Sequence, residues 1–192
     1  SGMEFARYWM HNAFLNIDNR KMSKSLGNFF TVREISEKYD LQILRFFMLN
    51  AHYRSPLNFS AELMEASKNA LERIRTAVDN LKYIAEHASA CELTEEEAKF
   101  IKETDKFEAD FDRSMDDDFN TADAIAAVFD LVKFANTHAA EGSSRAFAQA
   151  LSDKIQSLCD ILGIITEKKE ELLDADIEEL IEERQAARKA KN

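Results

Sequence analysis

The fold is decided by one stretch, SAELMEASKNALERIRTAVDNLKYIAEH, which occupies residues 60–87. Ser60 is a typical N-cap residue, because its hydroxyl can accept a hydrogen bond from a backbone N–H of the first helical turn. Apolar residues then recur at steps of three and four, the spacing that places side chains on one face of a helix. The predicted stripe consists of Leu63, Ala70, Ile74, Ala77, Leu81 and Ile84, widened by Leu71, Val78 and Ala85. We therefore predict a long helix with one buried face, as in a helical bundle.

The residues after this stretch repeat the same pattern. Thr94 and Glu97 have the spacing of a capping box, and Asn120 is the next predicted cap. Residues 142–144, Gly-Ser-Ser, predict a turn, and a last charged helix is predicted from about Asp176 onward. The apolar residues expected on the inner faces are Phe100, Phe107, Phe111, Ile125, Val128, Phe129, Val132, Phe147, Leu151, Ile155, Leu158, Leu162, Ile177, Leu180 and Ile181.

The residues before 60 predict shorter elements. Residues 13–18 alternate loosely between apolar and polar, which indicates a short strand. Thr31 is predicted to begin a helix that runs to about Tyr39, and Asp40 to cap a second helix. Pro56 stops helix propagation because it lacks a backbone donor. With four glycines and one proline in 192 residues, the chain lacks the turn residues that many strands require. The predicted fold is mainly α: an antiparallel helical bundle preceded by a short α/β remnant.

The charge is unevenly distributed. The net charge is −11, yet residues 1–59 carry eight basic against five acidic residues. A net acidic protein is a poor non-specific binder of polyanions, so any RNA contact needs a local basic patch. No apolar run approaches the roughly 20 residues that cross a bilayer. Cys91 and Cys159 show neither metal-type nor redox-type spacing. We expect a cytoplasmic protein with reduced thiols and no membrane partner.

Residues 21–28, KMSKSLGN, are called the lysine loop below. Lys21 and Lys24 are two ammonium groups three residues apart, and they can close over a polyphosphate from one side. Ser23 and Ser25 add hydroxyl donors of adjustable direction, and Gly27 permits the backbone angles of a tight turn. If the chain held only two lysines at this spacing, without the rest of the string, a solvated surface loop would be the better interpretation.

The full eight-residue string resembles the KMSKS signature of class I aminoacyl-tRNA synthetases. Further stretches resemble, in the same order, the pattern of the cysteinyl-tRNA synthetases. They are FFTVRE at 29–34, HYRSPLNF at 52–59, MDDDFNT at 115–121 and RQAARKAK at 184–191. The resemblance runs from about residue 5 to the last residue.

This resemblance implies an enzyme that activates cysteine with ATP, as its magnesium complex, and transfers it to tRNA(Cys). It implies that Lys24 contacts ATP directly and that Lys21 supports the leaving pyrophosphate. Both would be catalytic residues, because charge builds on the leaving phosphates in the transition state. Ser23 and Ser25 would be secondary ATP-binding residues.

The resemblance also implies three regions. Residues 1–28 would be the C-terminal end of a Rossmann-type catalytic domain with the lysine loop. Residues 29–59 would be a helical connector that contacts the tRNA stem. Residues 60–192 would be a helical-bundle anticodon-binding domain of the DALR type.

Two acidic or basic segments have open interpretations. His52, Tyr53 and Arg54 form either an aromatic and basic patch that touches RNA or a connector with Tyr53 half-buried and Arg54 paired to a carboxylate. The carboxylates of residues 116–118 suit a hard cation. We favour instead a structural cap and corner of the bundle, because acids gain from a following helix N-terminus.

Two further pairs of residues, one near each end of the chain, also have a structural interpretation beside a functional one. Trp9 and His11 are expected to be packing groups. Arg184 and Arg188 lie at the basic end of the predicted last helix, where they face either RNA or solvent. The four histidines never pair at ligand spacing, so no metal site is assigned in this sequence.

The HIGH-type motif of the family, which binds ATP from the other side, is not found in these residues. Neither is the Cys, His and Glu set that holds its zinc. We expect a fragment that is inactive alone, with zinc bound elsewhere in the parent protein, which we expect to be monomeric. Two alternatives stay open: a fragment of a related ligase that joins cysteine to an amino sugar, and a free-standing helical RNA-binding or interaction module.

Overall fold

A computed structural model of the chain describes residues 4–23, 25, 27–28 and 30–165. The described part contains six helices and three short strands. The helices are α1 (Val32–Ser36), α2 (Leu41–Leu49), α3 (Ala61–His87), α4 (Glu95–Asp116), α5 (Thr121–His138) and α6 (Arg145–Leu162). The strands are β1 (Leu15–Ile17), β2 (Arg20–Lys21) and β3 (Leu57–Phe59), which form one sheet in the order β2-β1-β3.

The predicted helix caps are confirmed. The Ser60 hydroxyl accepts from the backbone N–H of the third residue of α3, and Asp40 caps α2 through its carboxylate. Thr94 forms a complete capping box at α4, and Asn120 caps α5. Ser144, predicted only as part of a turn, is the N-cap of α6. Local side-chain chemistry therefore sets where each long helix begins.

The bundle consists of α3 to α6, with α2 packed on α3. Helix α6 packs closely against α3, and α4 packs against α5. The apolar stripe predicted for α6 is confirmed, since each of its residues is buried. Among the described residues, the largest fully buried side chains include Phe46, Phe111, Phe147, Met64, Leu71, Ile74, Ile125, Leu131, Leu151, Ile155, Ile164 and Val78. The core therefore joins α2 to the four bundle helices.

The stripe predicted for α3 is wrong at its first turn. Leu63 is 43% exposed, whereas Met64 is fully buried. Neighbouring helical residues point about 100° apart, so only one of these two can face the core. Both are apolar, and the periodicity alone cannot choose between them.

Helix α1 is shorter than predicted. It ends at Ser36, with Glu37 as its C-cap, rather than at about Tyr39. Asp40 must leave the helical conformation to cap α2, and its ψ of 137° shows that it does. The chain therefore spends residues 37–39 in a turn. The helix predicted from about Asp176 lies outside the described residues.

Glu97 joins the start of α4 to the start of α6. Its carboxylate accepts the Thr94 N–H at 2.8 Å and the Ser144 N–H at 2.8 Å, and its side chain is buried. Burial alone would raise the pKa of this carboxyl. The hydrogen bonds from Thr94 and Ser144 outweigh burial and hold the pKa below its ordinary value of 4.5.

Gly163 allows α6 to end against α2. It adopts a φ of +63°, which favours glycine, and the Arg45 Nε–H donates to the Leu162 carbonyl at 2.7 Å. A Cβ at position 163 would lie 2.8 Å from Arg45 Nε. The absent side chain therefore permits both the turn and the close approach of Arg45.

Two further observations concern the surface and the thiols. In the part of the chain that the structure describes, no helix has the length and apolar character needed to cross a membrane. Cys91 is exposed, Cys159 is buried in α6, and both are free thiols.

Ile155→Ala should destabilise the chain far more than Ile161→Ala. Both isoleucines lie on α6, but Ile155 is fully buried and Ile161 is 60% exposed. Truncation of the buried Ile155 should lower the free energy of unfolding by about 2–5 kcal/mol, because apolar burial is lost and a cavity remains. Truncation of the exposed Ile161 should change it by no more than about 0.5 kcal/mol. Denaturant unfolding followed by circular dichroism measures both, and equal losses would contradict the packing of α6.

Glu97→Gln should cost about 1–3 kcal/mol, because an amide cannot accept both buried N–H donors. Since the folded pKa of Glu97 is lowered, its stabilisation is present above pH 4.5 and is lost as the pH falls through the folded value. The difference in free energy of unfolding between wild type and variant should therefore shrink in acid. Glu96→Gln, at an exposed position of the same turn, is the control. A pH-independent difference would contradict the assignment.

The two thiols should differ sharply in reactivity. Burial, aided by the nearby Asp160 carboxylate, raises the pKa of Cys159 to about 12. Only thiolates react readily with disulfide reagents, so a Cys91→Ser variant should resist the reagent until unfolded. A Cys159→Ser variant, which keeps the exposed thiol, should react fast. If the two variants reacted with the reagent at similar rates, the face of α6 that carries Cys159 would not be buried as described.

Candidate functional site

The lysine loop begins on a β-hairpin. Strands β1 and β2 pair antiparallel, with Asn16 opposite Lys21. The turn residues Asp18 and Asn19 have φ values of 47° and 62°, as in a two-residue hairpin turn of type I′. The backbone N–H of Asn19 donates to the Asn58 side-chain oxygen at 2.7 Å. The predicted short strand is thus confirmed as β1. The sequence analysis did not predict the two strands that pair with it, β2 and β3.

The other edge of β1 pairs in parallel with β3. Ile17, which is buried, lies opposite Phe59 in the register. The Phe59 ring packs edge to face against Phe30 at 5.0 Å and Phe47 at 5.7 Å. Phe30 follows the loop and Phe47 belongs to α2, so one ring cluster holds the hairpin against the helices.

Asn28 closes the loop. Its Oδ1 accepts the Ser23 N–H at 2.9 Å and its Nδ2–H donates to the Lys21 carbonyl at 3.2 Å. Gly27 beside it has a φ of +67°. The Ser23 and Ser25 hydroxyl oxygens lie 2.7 Å apart. Sequence reasoning assigned no role to Asn28, although an amide carries the donor and acceptor that bridging two loop ends requires.

The structure places three of the four predicted ATP-binding residues. Lys21 is exposed at the end of β2, and within the described part of the chain it has no ion-pair partner. Ser23 is partly buried and Ser25 is exposed. Lys24 lies outside the described residues, so its role stays a prediction. The described part of the loop presents an ammonium group and two hydroxyls to solvent, which suits an anionic ligand.

The segment 52–54 has the contacts of the connector interpretation. Tyr53 is half-buried, and its hydroxyl donates to Asp118 Oδ1 at 2.8 Å. The Arg54 guanidinium pairs with the same carboxylate, with Nε 3.1 Å from Oδ2. This places two of the four predicted tRNA-binding residues, Tyr53 and Arg54, against the corner between α4 and α5. Their contact with RNA stays a prediction.

The predicted corner is confirmed, but none of the three carboxylates caps the helix that follows it. Asp116 is the last residue of α4 and Asp117 its C-cap, and Asn120 is the cap of α5. Asp118 and Phe119 both have positive φ values, which reverse the chain between the helices. Among the described residues, no group of three or more His, Cys, Asp or Glu is arranged to hold a metal ion.

The packing role predicted for Trp9 and His11 is also wrong. Trp9 is 65% exposed and meets the Phe5 ring at 6.0 Å, and His11 is exposed. Residues 4–14 form neither helix nor strand, so no element holds these rings against the core. Arg184 and Arg188 lie outside the described residues.

Comparison with known proteins identifies both parts of the chain. A family model described as the tRNA synthetases class I (C) catalytic domain matches residues 1–69. A model described as the DALR domain matches residues 110–166. The first match contains the lysine loop with its hairpin, and the second contains the corner and helices α5 and α6.

A solved structure supports the fold. The ternary complex of Agrobacterium radiobacter K84 agnB2 LeuRS with tRNA and LeuAMS aligns with a TM-score of 0.61 at 20% identity. The alignment covers 81% of this chain and 22% of that one. At this identity the likeness concerns the fold alone.

Curated relatives match the chain over its whole length. Proteins named cysteine–tRNA ligase are 61% identical in Lachnospira eligens, 54% in Lachnoclostridium phytofermentans and 48% in Clostridioides difficile. Each alignment covers 100% of this chain, which spans 41–42% of the relatives' length. By these matches the chain belongs to the cysteine–tRNA ligase family of class I aminoacyl-tRNA synthetases.

Proposed function

We propose that this chain is the part of a cysteine–tRNA ligase that carries the lysine loop and the tRNA-binding helical bundle. The parent enzyme would activate cysteine with ATP and transfer it to tRNA(Cys). The observation that carries this proposal is the similarity of the whole of this chain to part of the cysteine–tRNA ligases, at 48–61% identity. The lysine loop carries the complete KMSKSLGN string. It begins on the hairpin formed by β1 and β2.

The lysine loop would act on the ATP phosphates. The cysteine carboxylate would attack the α-phosphate, and the bond between the α- and β-phosphates would break to release pyrophosphate. We assign Lys24 to direct contact with ATP and Lys21 to support of the pyrophosphate, with Ser23 and Ser25 secondary. Lysines aimed at the leaving group stabilise the transition state more than the bound substrate, and so raise the rate of the chemical step.

The remaining regions would serve tRNA. We assign residues 1–28 to the catalytic domain, 29–59 to the stem-contact connector and 60–192 to the anticodon-binding bundle. Tyr53, Arg54, Arg184 and Arg188 are the candidate tRNA contacts. We place zinc in another part of the parent enzyme, which we propose to be a cytoplasmic monomer. Neither an amino-sugar ligase nor a free-standing module is favoured by any comparison.

Lys24→Ala in the full-length ligase should reduce cysteine activation far more than cysteine binding. Loss of one preorganised contact to a developing anion typically costs about 3–4 kcal/mol, or roughly two to three orders of magnitude in rate. Lys24→Arg should recover only part, because a planar guanidinium does not replace a compact ammonium. Pre-steady-state adenylate formation is the measurement.

The matched control for this experiment is Lys99→Ala, which removes an exposed lysine from α4. That variant should form adenylate at the wild-type rate. If Lys24→Ala also kept the wild-type rate, the lysine loop would be an ordinary surface turn and the proposed role of its lysines would fail.

A further inference from the structure

Four side chains form a cluster that we call the corner latch: His52, Tyr53, Arg54 and Asp118. The Asp118 carboxylate is its centre. Its Oδ1 accepts the Tyr53 hydroxyl at 2.8 Å and an Arg54 Nη2–H at 3.4 Å. Its Oδ2 lies 3.1 Å from Arg54 Nε and 3.8 Å from His52 Nε2. Three consecutive residues before β3 thus converge on one residue of the α4–α5 corner.

The hydrogen bonds of the latch are mutually consistent. The backbone N–H of Arg54 donates to His52 Nδ1 at 3.2 Å, which leaves the ring proton of a neutral imidazole on Nε2, facing Asp118. The Tyr53 hydroxyl accepts from Arg54 Nε at 3.0 Å while it donates to Asp118. The His52 and Tyr53 rings stack at 4.9 Å. Each polar group of the cluster has a partner of the right kind.

The corner that receives these contacts has an unusual backbone. Asp118 and Phe119 have φ values of 57° and 54°, a conformation that costs free energy in residues other than glycine. Phe119 is exposed, so burial of its ring does not compensate. A second bond ties the corner down, from the Thr121 hydroxyl to the Leu49 carbonyl at 2.6 Å. The latch and this bond hold the corner against the end of α2.

Tyr53 also bonds to the segment that leads into β1, the first strand of the hairpin on which the lysine loop begins. Its carbonyl accepts the Ala13 N–H at 2.9 Å, two residues before β1 begins. The next link is the Leu57 N–H, which donates to the Phe14 carbonyl at 3.3 Å at the start of the β1–β3 pairing. Tyr53 is therefore bonded by its carbonyl to the segment that enters the hairpin and by its hydroxyl to the bundle.

We propose that Tyr53 and Asp118 are positioning residues for cysteine activation, because their hydrogen bond holds the lysine-loop hairpin in register with the helical bundle. This inference rests on the proposed function of the lysine loop. In this assignment neither residue touches ATP or cysteine, the substrates of the activation step. Each acts through the strand that begins two residues after Ala13.

The chain offers a matched control for the central carboxylate. Asp117 precedes Asp118, is exposed, and its side chain has no hydrogen bond or ion pair among the described residues. Asp117→Asn and Asp118→Asn make the same chemical change one residue apart. Tyr53→Phe removes a single oxygen and keeps the ring that stacks on His52.

The experiment measures kcat and KM for ATP and cysteine in ATP–pyrophosphate exchange by the full-length ligase. Tyr53→Phe and Asp118→Asn should each lower kcat by about 10-fold to 100-fold, the loss that a small misplacement of a catalytic group produces. The KM for cysteine should stay unchanged. Asp117→Asn should remain near wild type. The kcat of the double variant should be no lower than that of the less active single variant, because each single change already removes the hydrogen bond between Tyr53 and Asp118.

A second readout separates positioning from stability. Amide hydrogen exchange of residues 15–23 should be faster in Tyr53→Phe than in wild type, and unchanged in Asp117→Asn, at a temperature where all variants are folded. If Asp118→Asn does not fold, Tyr53→Phe decides the question alone. Wild-type kcat and wild-type exchange in Tyr53→Phe would overturn the latch while leaving the proposed function intact. A wild-type ligase without cysteine-dependent exchange would overturn both.

Discussion

The rest of the structure depends on the burial of the apolar stripe of α6. Phe147, Leu151 and Ile155 are fully buried, and α3, α4 and α5 all contact this helix. Since burial of apolar surface is the main favourable contribution to folding, α6 holds the other bundle helices together. Polar contacts then secure its two ends. Glu97 binds the N–H of its cap residue, and Arg45 binds its last carbonyl.

The contact between Arg45 and the last carbonyl of α6 connects the bundle to the elements that support the candidate site. Arg45 lies on α2, and Phe47 of the same helix packs against Phe59 of β3. Strand β3 pairs with β1, and β1 continues through a two-residue turn into the strand that begins the lysine loop. A rigid helical body thus supports a hairpin that presents a lysine and two serines to solvent. Function placed on a loop, with its support on regular elements, is the usual arrangement of a ligand-binding site.

Tyr53 lies where these two parts meet. Its carbonyl binds the chain that enters β1 and its hydroxyl binds the α4–α5 corner. The strained corner at Asp118 and Phe119 is kept in place by contacts from segments about 65 residues away in sequence. Backbone strain persists only where surrounding contacts over-determine it, and here those contacts also connect the two family-model matches.

The sequence by itself determined the starts of α1 to α5, the fold class and the family. Ser60, Thr94 and Asn120 cap helices because their side chains bond to N–H groups two or three residues away, an interaction that local sequence contains in full. The lysine loop was found in the same way, from residues adjacent in the chain. Only the tertiary structure decided the choice of Met64 over Leu63 for the core, the parallel pairing of β1 with β3, and the partner of Asp118. Each of these depends on which distant segment packs nearby, and neither periodicity nor capping rules carry that information.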